Sequence, residues 1–214
     1  MNKKLKIGVI CSIIVMIILI LTFYIVKNAK KNSSVGLDSS IVNQKQKEGQ
    51  TILNNNKVLV VYFSYGGNTQ KLAKLVSDKV GGDFIRIETV KNYPEYSKLF
   101  DYAKSERDNN ERPELKDLNI NIEDYDTIFI GYPIWWYTLP MPIFSFLDKY
   151  DLSGKTIIPF NTHRGSGDGG TYDTIKSIEP GAKVLKGLPI SGDDMNRDQS
   201  DKVDNWLKEL GLVK

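Results

Sequence analysis

Cysteine and histidine are almost absent from this sequence. Its 214 residues include one cysteine, Cys11, and one histidine, His163. A single cysteine excludes a disulfide bond within the chain. It also excludes structural zinc sites and iron–sulfur clusters that are held by cysteine thiolates. Because there is no second histidine either, we expect no metal site.

Basic residues are in excess only in the first quarter of the chain. Residues 1–56 contain eight lysines against Asp38 and Glu48, a net charge of +6. The whole chain carries +3, so residues 57–214 carry −3. No basic stripe with interleaved aromatic residues occurs in this acidic part. We therefore expect no nucleic acid partner.

Three common motifs are missing as well. The glycine-rich segment 64–69 contains no lysine, which the P-loop of triphosphate-binding proteins requires, and its glycine spacing differs from the dinucleotide fingerprint. A His–Ser or His–Asp hydrolase is possible on residue types alone. However, residues 165–167 (Gly-Ser-Gly) lack the spacing of a nucleophile elbow, which disfavours hydrolysis.

The sequence has one long apolar run, residues 7–26, which contains no charged residue. About twenty apolar residues are what a helix needs to cross a bilayer. The alternative is a cleaved signal peptide, but no small-x-small cleavage site follows the run. We expect a single-pass anchor after a short basic tail, residues 1–6. Residues 27–56, rich in Asn, Ser, Gln and Lys, are typical of a flexible linker.

Lysines flank the apolar run on both sides, so the positive-inside rule is nearly balanced. The very short charged tail favours an N-terminus inside the cell and a domain outside the cytoplasm. The cytoplasmic face of the membrane is the alternative location.

Residues 57–214 alternate between strand and helix patterns. Apolar runs predict five strands, at 58–63, 83–88, 126–131, 155–160 and 182–185. Helical spacing follows residue 69 and recurs at 95–110, 140–150, 171–178 and 194–210. Such alternation predicts an α/β fold of three layers, with a five-stranded parallel sheet between helices. Its length suits the strand order 2-1-3-4-5, in which ligands bind beyond the carboxyl ends of the strands.

The loops after strands one, three and four are unusual in composition. Residues 64–69 read Ser-Tyr-Gly-Gly-Asn-Thr between a buried strand and a helix, a context that favours phosphate binding by backbone N–H groups. Residues 131–142 contain two adjacent tryptophans between prolines, which suits a rigid wall for a flat heterocycle. Residues 161–170 are rich in glycine and hydroxyl groups. His163 in this loop is either a ligand-facing residue or a surface residue of a turn.

These stretches resemble a known family. Residues 60–76 resemble the flavodoxin signature along their whole length. Residues 131–136, 162–163 and 165–167 resemble the isoalloxazine-binding loops of a bacterial flavodoxin-like subfamily. The resemblance covers residues 57–212. It implies a flavodoxin-like fold with FMN as the cofactor.

The resemblance also implies the residues of the FMN site. The first loop would hold the phosphate end with Ser64, Tyr65, Gly66, Gly67, Asn68 and Thr69. The second would run along the ring, with one tryptophan stacked on it, through Pro133, Ile134, Trp135, Trp136 and Tyr137. The third would border the other edge of the ring with Thr162, His163, Arg164, Gly165, Ser166 and Gly167. Two positions depart from the relatives, which usually carry Gly at Tyr137 and commonly Glu at Arg164.

The favoured interpretation is an FMN-binding electron-transfer protein tethered to the membrane, with a redox protein or a quinone as its partner. No residue need act as an acid or a base, so we name none as catalytic. The first alternative is an NAD(P)H-dependent quinone or flavin reductase on the same fold. The second is a non-redox, membrane-anchored binding module.

Overall fold

The computed structural model describes residues 57–213. The basic tail 1–6, the apolar span 7–26 and the linker 27–56 lie outside these residues. No helix between residues 57 and 213 has the length and apolarity that a membrane span requires.

A parallel sheet occupies the centre of the described part. Its strands are β1 Val58–Tyr62, β2 Asp83–Arg86, β3 Thr127–Pro133, β4 Thr156–His163, β5 Lys183–Val184 and β6 Leu188–Ser191. The order is β2-β1-β3-β4-β5, and β6 pairs with β4 beyond β5. The predicted fold class and strand order are confirmed. Every residue of β1 is buried, as its continuous apolar run predicts.

Five helices cover the two faces of the sheet. They are α1 Asn68–Val80, α2 Tyr96–Asp108, α3 Met141–Lys149, α4 Thr171–Ile178 and α5 Ser200–Glu209. Leu72 of α1 and Trp206 of α5 belong to one apolar core, with Val60 of β1. Phe146 of α3 and Ile175 of α4 belong to the other core. The sheet is therefore the middle of three layers.

The fifth strand was expected as one segment, 182–185, and this expectation is wrong in detail. The edge strand is split, because β5 pairs with Thr156 and Ile157, whereas β6 pairs with β4 from Phe160 onward. The N–H of Leu185 donates to the carbonyl of Ile157, so alternate residues of β4 face this edge, and Pro159 is the next of them. Proline has no N–H to donate, so the ladder stops at the point where the strand divides.

The closing helix is shorter than the predicted 194–210. A 3-10 helix, Gly192–Asn196, comes first, and α5 begins only at Ser200. The carboxylate of Asp198 accepts hydrogen bonds from the N–H and the hydroxyl of Ser200, at 2.9 and 2.6 Å. An Asp that bonds the backbone two residues ahead favours a turn rather than a continuing helix.

Candidate functional site

The loops after β1, β3 and β4 meet at the carboxyl edge of the sheet. The three strands run in register, with Tyr62 of β1 opposite Gly131 of β3, and Gly131 opposite Phe160 of β4. Their loops enclose one cavity of about 240 Å³. The predicted site residues that line it are Ser64, Tyr65, Gly66, Asn68, Thr69, Pro133, Ile134, Trp135, Thr162, His163 and Arg164.

The cavity also has walls that the sequence did not predict. Tyr96, Leu99 and Phe100, from the first two turns of α2, line it together with Gly192, which follows β6. The sequence predicted this polar helix, at 95–110, but did not assign it to the site. Conversely, the cavity lining does not include Gly67, Trp136, Tyr137, Gly165, Ser166 and Gly167. For all seventeen residues, a direct contact with a ligand stays a prediction.

The loop from Ser64 to Thr69 leads into α1, and no side chain caps the backbone N–H groups at the start of this helix. Gly67 is the N-cap residue of α1, with φ of 90°. Glycine reaches that backbone conformation at little cost. The N–H of Gly67 donates to Ser64 Oγ at 3.2 Å. Because the first N–H groups of a helix have no intrahelical acceptor, this end suits an anion.

Hydrogen bonds join this first loop to its neighbours. The hydroxyls of Thr69 and Thr162, both buried, lie 2.8 Å apart. The Asn68 amide donates to the carbonyl of Gly192 at 3.1 Å. Arg86 of β2 donates to the Ser64 carbonyl at 2.8 Å and brings a positive charge beside the loop. Arg86 was not among the predicted site residues, because it lies 22 residues from Ser64 along the chain, on β2.

Trp135 is the tryptophan that lines the cavity. Its ring meets those of Phe63 and Tyr93 edge-on, each at 5.3 Å between centroids, and that of Tyr65 at 6.4 Å. Edge-to-face contacts of this kind orient an aromatic ring. Trp135 is therefore held in place before any ligand binds.

Trp136 faces α2 instead of the cavity. Its indole N–H donates to the carbonyl of Phe100 at 3.0 Å, and its own carbonyl accepts from Arg107 at 3.3 Å. The Arg107 guanidinium also lies over the indole ring, 5.4 Å from its centroid. Trp136 thus fastens α2, and with it the cavity wall, to the loop after β3.

Trp136 and Tyr137 form a strained turn. The backbones of Trp135 and Thr138 exchange two hydrogen bonds, of 3.1 and 3.0 Å, across these two central residues. Both have positive φ, 51° and 60°. This is the pattern of a type I′ turn, which normally contains Asn-Gly or Gly-Gly. Side chains larger than Asn in this region are costly. Tyr137 is 77% exposed and gains little packing in return.

The third loop is braced from beneath the cavity. Asn161, at the carboxyl end of β4, donates its amide to the Gly167 carbonyl at 3.0 Å and accepts from the Tyr172 hydroxyl at 2.5 Å. His163 Nδ1 accepts from the N–H of Gly165 at 3.1 Å. Since a backbone N–H can only donate, Nδ1 carries no proton, and the remaining donor of the neutral ring is Nε2.

A buried carboxyl holds α2 on its other side. Glu106 is 3% exposed and accepts from the Tyr93 hydroxyl at 2.6 Å. Burial raises the pKa of Glu106, although the bond from Tyr93 opposes this shift. Burial also raises the pKa of the Tyr93 phenol, which remains the donor. Because Tyr93 also contacts Trp135, this pair connects α2 with the cavity wall.

Replacing Tyr137 by glycine should stabilise the protein. Relief of the left-handed conformation gains about 1–2 kcal/mol, and the extra freedom of glycine in the unfolded chain costs about 0.5–1 kcal/mol. We expect a net gain of about 0.5–1 kcal/mol, a rise in Tm of roughly 1–4 °C for a domain of this size. Thermal denaturation of the flavin-free chain measures it. Tyr137→Ala, which keeps the strain, should show no gain; equal melting of both variants would contradict this account.

Glu106→Gln should change how stability depends on pH. The raised pKa means that the folded chain keeps the Glu106 proton to higher pH than the unfolded chain. Stability of the natural chain should therefore fall as pH rises from about 4.3, the ordinary glutamate value, through the folded pKa. The stability difference between Glu106→Gln and the natural chain should grow across that range and then level off.

Thermal denaturation at a series of pH values tests the Glu106 prediction. Glu123→Gln, at an exposed position away from Glu106, controls for the loss of a charge. A difference that is the same at every pH would show that Glu106 does not titrate in the expected way.

Comparison with known proteins agrees with the fold. A family model described as flavodoxin matches residues 57–210. A candidate flavoprotein from Bacteroides eggerthii is 33% identical, with a TM-score of 0.65, over 75% of this chain and 100% of that one. One from Bacteroides uniformis is 33% identical, with a TM-score of 0.64, over 72% and 98%.

A flavoprotein from Lactobacillus acidophilus, solved in complex with FMN, is 24% identical, with a TM-score of 0.57, over 70% of this chain and 99% of that one. Its likeness supports the fold. No protein with a curated description matches the chain. Because the flavodoxin model matches well over half of the sequence, across all six strands and the three loops of the cavity, this chain belongs to the flavodoxin family.

Proposed function

We propose that this chain is an FMN-binding electron-transfer protein, tethered to a membrane by residues 7–26. The observation that carries the proposal is that one cavity is lined both by residues of the uncapped N-terminus of α1 and by aromatic residues of other segments. When bound, FMN supplies the one- and two-electron redox chemistry, and the protein supplies binding and orientation.

The phosphate end of FMN fits the loop before α1. Donors from the first turn of α1 and the Ser64 and Thr69 hydroxyls are of the kind that hold a dianion. An added Cβ on Gly66 or Gly67 would meet no protein atom within 4 Å, so the space beside this loop is open. Arg86 donates a hydrogen bond to the Ser64 carbonyl and so brings a positive charge beside this loop.

The ring end fits the aromatic wall and the third loop. Trp135 supplies one side of the wall, and Tyr96 and Phe100 of α2 supply another. His163 brings the Nε2 donor to the cavity lining. Arg164 also lines the cavity and is exposed, so it would favour added negative charge on the ring, although solvent screens this effect.

A second function on the same site is an NAD(P)H-dependent quinone or flavin reductase. The observation in its favour is the exposure of Tyr96 and Phe100, which are 60% and 59% exposed although they line the cavity. Exposed aromatic walls could also hold a flat substrate beside the flavin. Steady NAD(P)H oxidation with a quinone by the purified chain would favour the reductase. Electron transfer only after addition of a separate reductase favours the carrier.

FMN titration tests the proposed site directly. Trp135→Ala should weaken FMN binding by about 1–3 kcal/mol, roughly ten- to hundredfold in Kd, because a stacking wall is lost. Trp136→Ala is the matched control, since the neighbouring indole faces α2, and its effect should be smaller. The quenching of free FMN fluorescence by the full chain in detergent gives both values. No FMN binding by the natural chain, or a larger effect of Trp136→Ala, would refute the assignment.

A further inference from the structure

Large exposed apolar side chains are gathered at one end of the described domain. Between residues 57 and 213 there are four, namely Val90, Tyr96, Phe100 and Tyr137. All four lie in segments that follow β2 or β3, at the carboxyl end of the sheet. We define the aromatic rim as Tyr96, Phe100, Trp136 and Tyr137. Clustered exposed apolar groups mark an interaction surface more often than scattered ones do.

The rim is a continuous surface beside the cavity mouth. Tyr96 and Phe100 are one helical turn apart on α2, and the ring of Phe100 lies 5.6 Å from that of Trp136. Tyr137 follows at the tip of the strained turn. The hydrogen bond from Trp136 to the Phe100 carbonyl joins the two halves of the rim. The turn therefore places an exposed tyrosine at the edge of the rim at a cost in backbone energy.

Apart from the buried Glu106, the charges of α2 and its N-cap residue are balanced, with three basic residues, Lys98, Lys104 and Arg107, and three acidic ones, Glu95, Asp101 and Asp108. Lys104 and Arg107 lie near the face of the Trp136 ring, and both pair with Asp108. A surface that recruits a charged redox protein would carry an excess of one sign. Aromatic side chains with cations along their faces are instead typical of residues at a lipid–water interface.

We propose that the aromatic rim docks on the lipid–water interface of the membrane that holds residues 7–26, so that the cavity mouth faces the bilayer. This proposal rests on the membrane tether in the proposed function but not on the identity of the cofactor. A lipid-soluble electron acceptor would then reach the site without crossing water.

The chain outside the described residues is long enough for this orientation. Lys57 precedes β1, at the amino end of the sheet, whereas the rim lies at the carboxyl end. The sheet is about 26 Å tall, taking the eight residues of β4 as its height. Thirty residues, 27–56, separate the apolar run from Lys57, and a chain of that length can reach at most about 100 Å. The domain can therefore turn its rim toward the bilayer, and tethering raises the local concentration of the weak contact.

The test places a nitroxide label on each end of the domain. The full chain, with Cys11→Ser and Tyr137→Cys, is reconstituted into liposomes with FMN and labelled. Glu123→Cys, in the exposed turn before β3 at the amino end of the sheet, is the matched control. Collisions of each label with oxygen, which concentrates in lipid, are compared with collisions with a water-soluble nickel chelate. We expect oxygen to dominate at position 137 and nickel at position 123.

A further change removes the apolar contact. Adding Tyr96→Ser and Phe100→Ser should lower the docked fraction at position 137 by about tenfold or more, because two half-exposed rings no longer enter the interface. Circular dichroism checks that the fold is retained.

The outcomes separate the tether from the docking. A chain that does not float with liposomes refutes both. A chain that floats, but whose label at position 137 is as open to nickel as that at position 123, refutes docking alone and favours a protein partner for the rim. If collisions with oxygen still dominate at position 137 after Tyr96→Ser and Phe100→Ser, the proposed role of the rim is also refuted.

Discussion

The parallel register of β1, β3 and β4 is the constraint on which the whole site depends. Three adjacent parallel strands, whose ends differ by no more than three residues, deliver three loops to the same edge of the sheet. The buried hydrogen bond between Thr69 and Thr162 then joins the first loop to the third. Without this register, the donors of α1 and the ring of Trp135 would not border one cavity.

α2 completes the cavity through polar and aromatic contacts. Glu106 and Tyr93 hold it on one side, and Trp136 holds it on the other. Only Leu99, Ala103 and Glu106 of this helix are buried. A wall held by few apolar contacts is the part of such a fold that is most able to move. The strain of the Trp136–Tyr137 turn persists because these contacts to α2 support it.

Sequence reasoning located the strands well, since a continuous β-branched run such as that of β1 has few alternatives. It did not predict the break in the β5–β6 edge, because the cause lies in another strand. Pro159 of β4 withholds an N–H at that edge, and nothing near residues 182–185 indicates it. α5 begins later than predicted because Asp198 forms a turn with Ser200. The prediction relied on apolar spacing and gave this local turn signal too little weight.

By itself, the sequence determined the fold class and the three loops, because these follow from apolar periodicity and from the residue types of tight turns. The strand order was expected from the number of strands, the length of the domain and its resemblance to flavodoxins. Only the tertiary structure decided which tryptophan faces the cavity, that α2 forms a wall, and that Arg86 supports the first loop. Trp135 and Trp136 are identical residues, adjacent in one loop, so the sequence does not distinguish them. The positive φ of Trp136 turns its side chain toward α2, and that backbone conformation depends on partners from a distant segment.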